Sequence, residues 1–341
     1  MTFGDISLGK PSVAGSGWLG YGAMGLTAFY GEPVSDEHAF EVLKSAYDGG
    51  CRHFDTAEVY KSGKMGEYAD TDVYNEAVVG KFLATVPRDT FTIATKYWPR
   101  DEACDYETVK AACEASLKRL GLPYVDLYYT HRVLSLEMAK NFAVAAKKLK
   151  EEGLIKNIGY SEITGAWLKE CHAIAPVAAV QQEWSLITRS LETELVPACA
   201  DLGVTVVAYS PLGRNLLTGV VTETPTDWRA SNPRYSPENL QKNVELVKSV
   251  EAIAEKKGCT AAQLSLAWLF WKAKALNVAV LPIPGTTKLT NLASNLGAVD
   301  VSLDDAEMAV LEDIASKVAG ERGNEDYMSR GIEAHHAKSE L

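Results

Sequence analysis

Four side chains close to the ends of apolar runs could share one reaction. Asp55 closes His53-Phe54-Asp55, Tyr60 follows in Thr56-Ala57-Glu58-Val59-Tyr60, Lys96 closes Ala94-Thr95-Lys96, and His131 closes Tyr128-Tyr129-Thr130-His131. A phenol can deliver a proton to an oxygen, but with a free pKa of about 10 it is a reluctant acid. A neighbouring ammonium stabilises the phenolate and works to lower that value. A carboxylate beside the ammonium keeps it charged and in place. An imidazole can hydrogen-bond a carbonyl oxygen and orient it. Together the four suit the reduction of an aldehyde or ketone: Tyr60 as general acid, Lys96 tuning it, Asp55 holding Lys96, and His131 orienting the substrate. Taken singly, each has a plainer role, as a structural hydrogen-bonder, a surface charge, a turn cap or a core phenol. The reading therefore depends on a fold that brings them to one place.

The elements that must do so alternate along the chain. Strand-like runs are Cys51–Thr56, Phe91–Lys96, Val125–His131, Ile155–Ser161, Val177–Gln182, Val204–Ser210 and Val278–Pro284, with Trp18–Gly22 as an eighth. Between them lie helical patterns from Ser35 or Asp36 to Tyr47, Asp105 to Leu120, Leu136 to Lys150, Trp167 to Ile174, Leu191 to Leu202 and Thr260 to Trp271. Eight strands alternating with helices predict a parallel sheet, and at 341 residues a closed (β/α)8 barrel in a single domain is the simplest form. An open doubly wound sheet is the alternative. In a barrel the C-terminal strand ends share one mouth, where Asp55, Tyr60, Lys96 and His131 would meet. The interval 211–241, rich in Pro, Gly, Asn and Thr, predicts a long loop or lid. Residues 318–341 read as a C-terminal tail, with Glu321 to Asp326 a solvated acidic stretch.

Gly15 to Gly25 contains G-x-G-x-x-G twice. A dinucleotide-binding Rossmann motif needs a helix opening directly after the glycines. Here Gly31 and Pro33 preclude one before about Ser35. A tight strand with a glycine-rich turn, able to come close to a ligand, is the better reading.

The net charge of −11 argues against a nucleic-acid partner. No apolar run reaches membrane-spanning length, and no apolar signal region opens the chain, so a cytoplasmic protein without a membrane partner is expected. The six cysteines lack zinc-site spacing and predict no metal centre. The final Lys-Ser-Glu-Leu matches no address tag.

With these residues in hand, the chain resembles the aldo-keto reductase superfamily from about Leu19 to Leu311. The resemblance rests on Gly22-Ala23-Met24-Gly25, Phe54 to Tyr60, Ala94-Thr95-Lys96, His131-Arg132, Ile158-Gly159-Tyr160-Ser161-Glu162, Val180 to Ser185, Ala208 to Gly213 and Pro282 to Thr286. The branch looks like that of the perakine reductase and auxin-induced type. The resemblance implies a (β/α)8 barrel that binds NADPH extended, without a Rossmann motif, and uses Asp55, Tyr60, Lys96 and His131 as above. It further implies that Gly22 and Met24 lie near the cofactor, that Ser161, Glu162 and Gln181 hold the nicotinamide carboxamide, and that Tyr209 stacks on its ring. Ser210, Leu212 and Gly213 would follow the pyrophosphate. Gly285, Thr286, Lys288 and Asn295 would flank the adenosine.

Two departures bear on this. Glu162 stands where many relatives have Asn, and is expected to accept from the carboxamide NH2. Thr287 stands where relatives often have Arg, leaving Lys288 as the candidate point charge for a 2′-phosphate, so NADH is not excluded. Phe29, Tyr30, Trp98, Trp184 and Trp228 are expected to wall an apolar substrate pocket for a small-molecule carbonyl compound. Two other functions remain open: a channel-regulatory barrel of the same superfamily with slow turnover, and a Rossmann-type NAD dehydrogenase.

Overall fold

The computed structural model describes residues 2–3, 6–7, 19–63, 69, 71–100 and 104–332. Eight parallel strands form the centre: β1 Tyr21–Gly22, β2 His53–Asp55, β3 Thr92–Tyr97, β4 Val125–Thr130, β5 Ile155–Ser161, β6 Val177–Glu183, β7 Thr205–Tyr209 and β8 Val280–Pro282. Each pairs with the next in parallel, from β1 through to β8. The backbone N–H of Gly20 donates to the carbonyl of Pro282 at 2.9 Å and joins the last strand to the first. This is the expected (β/α)8 barrel. Outside it, Thr2–Phe3 pairs antiparallel with Ile6–Ser7.

The strands are buried along nearly their whole length because helices cover the outside and side chains fill the inside. Ala94, Leu127, Tyr129, Ala179, Val207 and Leu281 pack together in the interior. Side chains two residues apart on a strand point the same way. The interior columns therefore run upward from Ala94 to Lys96, from Tyr129 to His131, from Ala179 to Gln181 and Glu183, and from Val207 to Tyr209. The chemistry-bearing residues form the top layer of a packed barrel. Gly159 belongs to the same interior: a Cβ there would lie 2.4 Å from the Tyr129 ring.

Helices follow the strands and start where their sequence caps them. α1 (Asp36–Asp48), α3 (Tyr106–Leu120), α4 (Leu136–Glu151) and α5 (Gly165–Ile174) are capped by the side chains of Ser35, Asp105, Ser135 and Thr164. α6 spans Leu195–Leu202, and α8 (Ala261–Ala275) opens with a capping box between Thr260 and Gln263. α9 (Leu289–Leu296) starts directly after Lys288, as expected, whereas α2 (Asn75–Leu83), α10 (Asp305–Ala315) and the short α11 (Glu325–Met328) were not anticipated. No helix among the described residues is long and apolar enough to cross a membrane.

One expectation holds and two change. After the glycines comes a single 3-10 turn, Met24–Leu26, and α1 begins only at Asp36, so no Rossmann helix is present there; Gly15, Gly17 and Trp18 lie outside the described residues. The long loop is shorter than expected: α7 (Pro237–Lys257) begins at Ser236-Pro237, an N-cap followed by proline at the first helical position. Residues 211–236 carry 3-10 turns at Gly213–Thr218, Trp228–Ser231 and Pro233–Tyr235. Residues 318–332, the described part of the expected C-terminal tail, are not all solvated. Glu321, Glu325 and Asp326 are exposed, but Arg322 and Ile332 are buried, and the segment lies over the barrel mouth.

Candidate active site

Lys96 is the centre of the mouth. Its ammonium is fully buried and donates to Asp55 Oδ1 at 2.5 Å and to the Thr56 carbonyl at 2.7 Å. It lies 3.4 Å from the Tyr60 hydroxyl and 4.8 Å from the centroid of its ring. The other Asp55 oxygen accepts from Gln181 Nε2 at 2.7 Å. The Tyr60 ring meets the His131 ring edge-on, centroids 5.5 Å apart, and Trp98 meets His131 at 5.2 Å. The fold thus brings Asp55, Tyr60, Lys96 and His131 together.

The strand ends aim these groups, and short tethers hold the loops. The backbone N–H of His131 donates to the Tyr97 carbonyl at 2.7 Å, carrying the β3–β4 pairing one residue past the strand. Trp98 N–H donates to the Glu58 carboxylate at 2.6 Å, fixing the loop after β3 to the loop after β2. Asn75, buried at the start of α2, links Thr56, Thr27 and the Ala23 carbonyl.

Burial and charge set the protonation states. Burial raises the Tyr60 pKa above the ordinary phenol value; the nearby Lys96 charge opposes this without overcoming it. From the sequence, Lys96 was expected to lower the Tyr60 pKa. The resting side chain is instead a neutral phenol that carries its proton. Burial works against the Lys96 ammonium, but Asp55 and Tyr60 outweigh it and raise its pKa, while burial raises that of Asp55. Burial, then Lys96 and Arg132, hold the His131 pKa well below its ordinary value, so the imidazole is neutral. His131 Nδ1 is buried without a hydrogen-bond partner. A bare lone pair there costs less than a stranded N–H, which assigns the proton to Nε2.

The cofactor-side candidates ring the same mouth. Ser161 closes β5, Gln181 stands inside β6, and Tyr209, partly buried, closes β7. Ser210 has φ 48°. Leu212 (φ −103°, ψ 19°) precedes Gly213 (φ 56°), a right-handed residue followed by a left-handed one. The Gly213 N–H donates to the Ser210 carbonyl at 2.9 Å, closing this turn. Gly22 and Gly285 meet backbone to backbone: a Cβ on Gly285 would lie 2.4 Å from the Gly22 carbonyl oxygen. Met24 is partly buried beside the Tyr60 cluster. Thr286 accepts from the Lys288 N–H through its hydroxyl at 3.1 Å, and its carbonyl accepts from the Tyr21 hydroxyl at 2.7 Å. Lys288 is exposed just before α9, and Asn295 is buried in that helix.

Glu162 is placed differently from expectation. It adopts φ 59°, a left-handed conformation that Asn tolerates better than Glu. Its Oε1 accepts from the Tyr209 hydroxyl at 2.5 Å and Arg322 Nη1 at 3.2 Å; its Oε2 accepts from Arg322 Nη2 at 2.6 Å and the Ile332 N–H at 3.1 Å. A carboxylate offers about four acceptor sites, and these four donors fill them, leaving none for a carboxamide. Burial would raise its pKa, but Arg322 and Arg132 outweigh it and hold it at about 2.

Among the pocket candidates, Tyr30 and Trp98 stand at the mouth. Phe29 packs edge-on against Tyr60 and Trp228, and Tyr30 against Trp228, with centroids 5.8–6.4 Å apart. Trp184 does not line the mouth. It follows Glu183, so it points out of the barrel towards the helices, is fully buried there and donates to Glu192 Oε1 at 3.0 Å.

Sequence reasoning missed a second polar cluster. Glu183 is buried and pairs with Arg214 Nη2 at 2.9 Å and Arg322 Nη1 at 3.2 Å, with Arg234 at 3.9 Å. It ties the loop after β7 and the C-terminal segment to one strand end. The available signal was that Glu183 continues the interior column of Gln181.

This geometry meets its counterpart in known proteins. A sequence model of the Aldo/keto reductase family matches residues 18–316. The chain belongs to the aldo/keto reductase family, oxidoreductases that act on small-molecule carbonyl compounds. It is 41% identical over 300 residues to a probable aldo-keto reductase of Glycine max, covering 85% of this chain and 83% of that one. An aldo-keto reductase from Klebsiella pneumoniae in complex with NADPH superimposes with a TM-score of 0.67 at 25% identity, covering 87% and 90% of the two chains. A glycerol dehydrogenase from Gluconobacter oxydans shares the fold with a TM-score of 0.76 at 24% identity, covering 88% and 91%.

Proposed function

We propose that the protein reduces an aldehyde or ketone with NADPH, in the manner of the perakine reductase-like branch. The observation that carries this is the buried Lys96–Asp55 pair beside a protonated Tyr60 and a neutral His131. NADPH, when bound, supplies the hydride. The residues present suit it: the left-handed turn at Gly213 for the pyrophosphate, Gln181 with Ser161 for the carboxamide, and the Tyr209 ring as a stacking face. Gly22 and Met24 line the approach. Gly285, Thr286, Lys288 and Asn295 take the adenosine end, with Lys288 as the 2′-phosphate charge.

His131 Nε2–H and the Tyr60 hydroxyl both reach the carbonyl oxygen and hold it in one orientation. As negative charge develops there, Tyr60 transfers its proton. Lys96 stabilises the resulting phenolate, and Asp55 keeps Lys96 in register. The high resting pKa of Tyr60 ensures that the donor is loaded. The Lys96 charge 3.4 Å away lowers the cost of the phenolate that forms once the proton has left. The collar of Phe29, Tyr30, Trp98 and Trp228 favours an apolar or aromatic carbonyl substrate.

The test is NADPH oxidation against a panel of aldehydes, ketones and quinones, with Tyr60→Phe beside the native chain. Loss of the proton donor should slow reduction by roughly 10²–10⁴-fold while cofactor binding stays near normal. Near-native turnover by Tyr60→Phe would refute the acid role.

A further inference from the structure

The Tyr209 hydroxyl at the mouth is fully engaged by neighbouring side chains. It donates to Glu162 Oε1 at 2.5 Å, lies 2.6 Å from the Tyr327 hydroxyl and is approached by Arg322 Nη1 at 3.1 Å. A phenol has one donor and two acceptor positions, and here all three are used. Two of the partners come from the C-terminal segment.

That segment is itself fixed. Ala319 exchanges two hydrogen bonds with the Asn243 side chain, both at 2.9 Å. The Arg322 carbonyl accepts from Arg214 Nη1 at 2.6 Å and Asn232 Nδ2 at 2.7 Å, tying it to the loop after β7. The guanidiniums of Arg132, Arg214 and Arg322 lie 4.8–5.8 Å from the Tyr327 ring centroid. The Arg322 side chain is 3% exposed in its pair with Glu162, which is 1% exposed. So buried a pair is costly to assemble unless its geometry is well satisfied, and breaking it strands a charge.

We propose that Arg322 and Tyr327 are positioning residues for the nicotinamide: they lock the Tyr209 hydroxyl, with Glu162 as the relay, and so fix the plane of the ring against which the nicotinamide stacks. The inference rests on the proposed cofactor reading. It also gives Glu162 its work. The longer carboxylate does not take the carboxamide; it transmits the grip of the C-terminal segment to Tyr209.

Arg322→Met tests this through the two halves of the cofactor. NADPH and 2′,5′-ADP, which lacks the nicotinamide, are each titrated against the native chain and the variant. NADPH binding should weaken by about tenfold or more, the range for a lost hydrogen bond to a charged group, while 2′,5′-ADP binding is unchanged. The emission of bound NADPH should shift towards that of the free nucleotide, and Arg322→Lys should restore part of the loss. In a Tyr209→Phe background the Arg322→Met penalty should shrink, because the hydroxyl through which it acts is gone. Should Arg322→Met fail to fold, Tyr327→Phe, which removes one oxygen from a partly buried ring, carries the same comparison in the same direction. Equal weakening of both ligands, unchanged NADPH binding, or a full penalty in the Phe background would overturn the inference. So would tighter NADPH binding, which would make the segment a plug. Failure of the native chain to bind NADPH would instead remove the cofactor reading itself.

Discussion

Gly22 and Gly285 touch through their backbones at the seam where the first barrel strand meets the last. A Cβ on Gly22 would lie 2.6 Å from the Ile283 carbonyl oxygen, and one on Gly285 2.4 Å from that of Gly22. Neither glycine has a left-handed φ that would demand it. The requirement is space. Gly285→Ala should push the seam apart and destabilise the chain by about 1–3 kcal/mol, the usual cost of overpacking. Urea unfolding would show it, and an unchanged midpoint would mean that the seam yields freely.

The buried Lys96–Asp55 pair makes a prediction in two parts. Lys96→Met strands a buried carboxylate and should cost roughly 3–5 kcal/mol of stability as well as activity. Adding Asp55→Asn removes the stranded charge, so stability should recover while turnover does not. Joint recovery of both would show that the ammonium is structural only.

Two buried histidines give the stability a direction in pH. Burial, helped by Lys96, holds His53 at about 3, and His131 also lies well below its ordinary value. Their unfolded values are near 6.5. Between folded and unfolded pKa the unfolded state binds more protons, so stability is complete above about pH 6.5 and is lost as pH falls towards 3. Each group contributes a slope of about 1.4 kcal/mol per pH unit inside its window. Unfolding free energies of His53→Gln measured from pH 7 to 4 should show a shallower acid slope than the native chain. An identical slope would mean that His53 titrates normally.

Lys288 separates the two nicotinamide nucleotides. Lys288→Ala should weaken NADPH far more than NADH, since only the former has the 2′-phosphate. Equal weakening, measured as dissociation constants, would place the phosphate elsewhere.

Glu183 fastens the roof of the mouth. Glu183→Gln leaves Arg214, Arg234 and Arg322 without their shared counter-ion, and the loop at 211–236 should become more susceptible to limited proteolysis. A cleavage rate equal to the native one would show that the remaining bonds suffice.

Much of the barrel was legible because strand periodicity and helix caps are local signals. Lys96 and His131 stand at the tops of interior columns, and Gln181 one interior step below Glu183, all set by alternation along single strands. The same rule would have turned Trp184 outward, one residue past Glu183. α7 was signposted by Ser236-Pro237 and Gly258, but its polar composition hid it behind the loop before it. The clasp of Glu162 and Glu183 with Arg322 was not legible. Its partners lie 160 and 139 residues apart, and an acidic stretch averaged over composition conceals one buried arginine among exposed carboxylates. The balance at Tyr60 was hidden for another reason: the direction of its pKa depends on how dry the mouth is, and that emerges only when the loops close over it.

The hydrogen bond from Gly20 to Pro282 joins residues at opposite ends of the barrel sequence. Every other strand pair can zip from a neighbour formed moments earlier, whereas this one closes a loop of the whole barrel and bears the largest entropy cost. It should be the last pairing to form and the first to part. In deuterium uptake, the amide of Gly20 should therefore exchange ahead of those in the central strands β4 to β6, marking where the cylinder breathes.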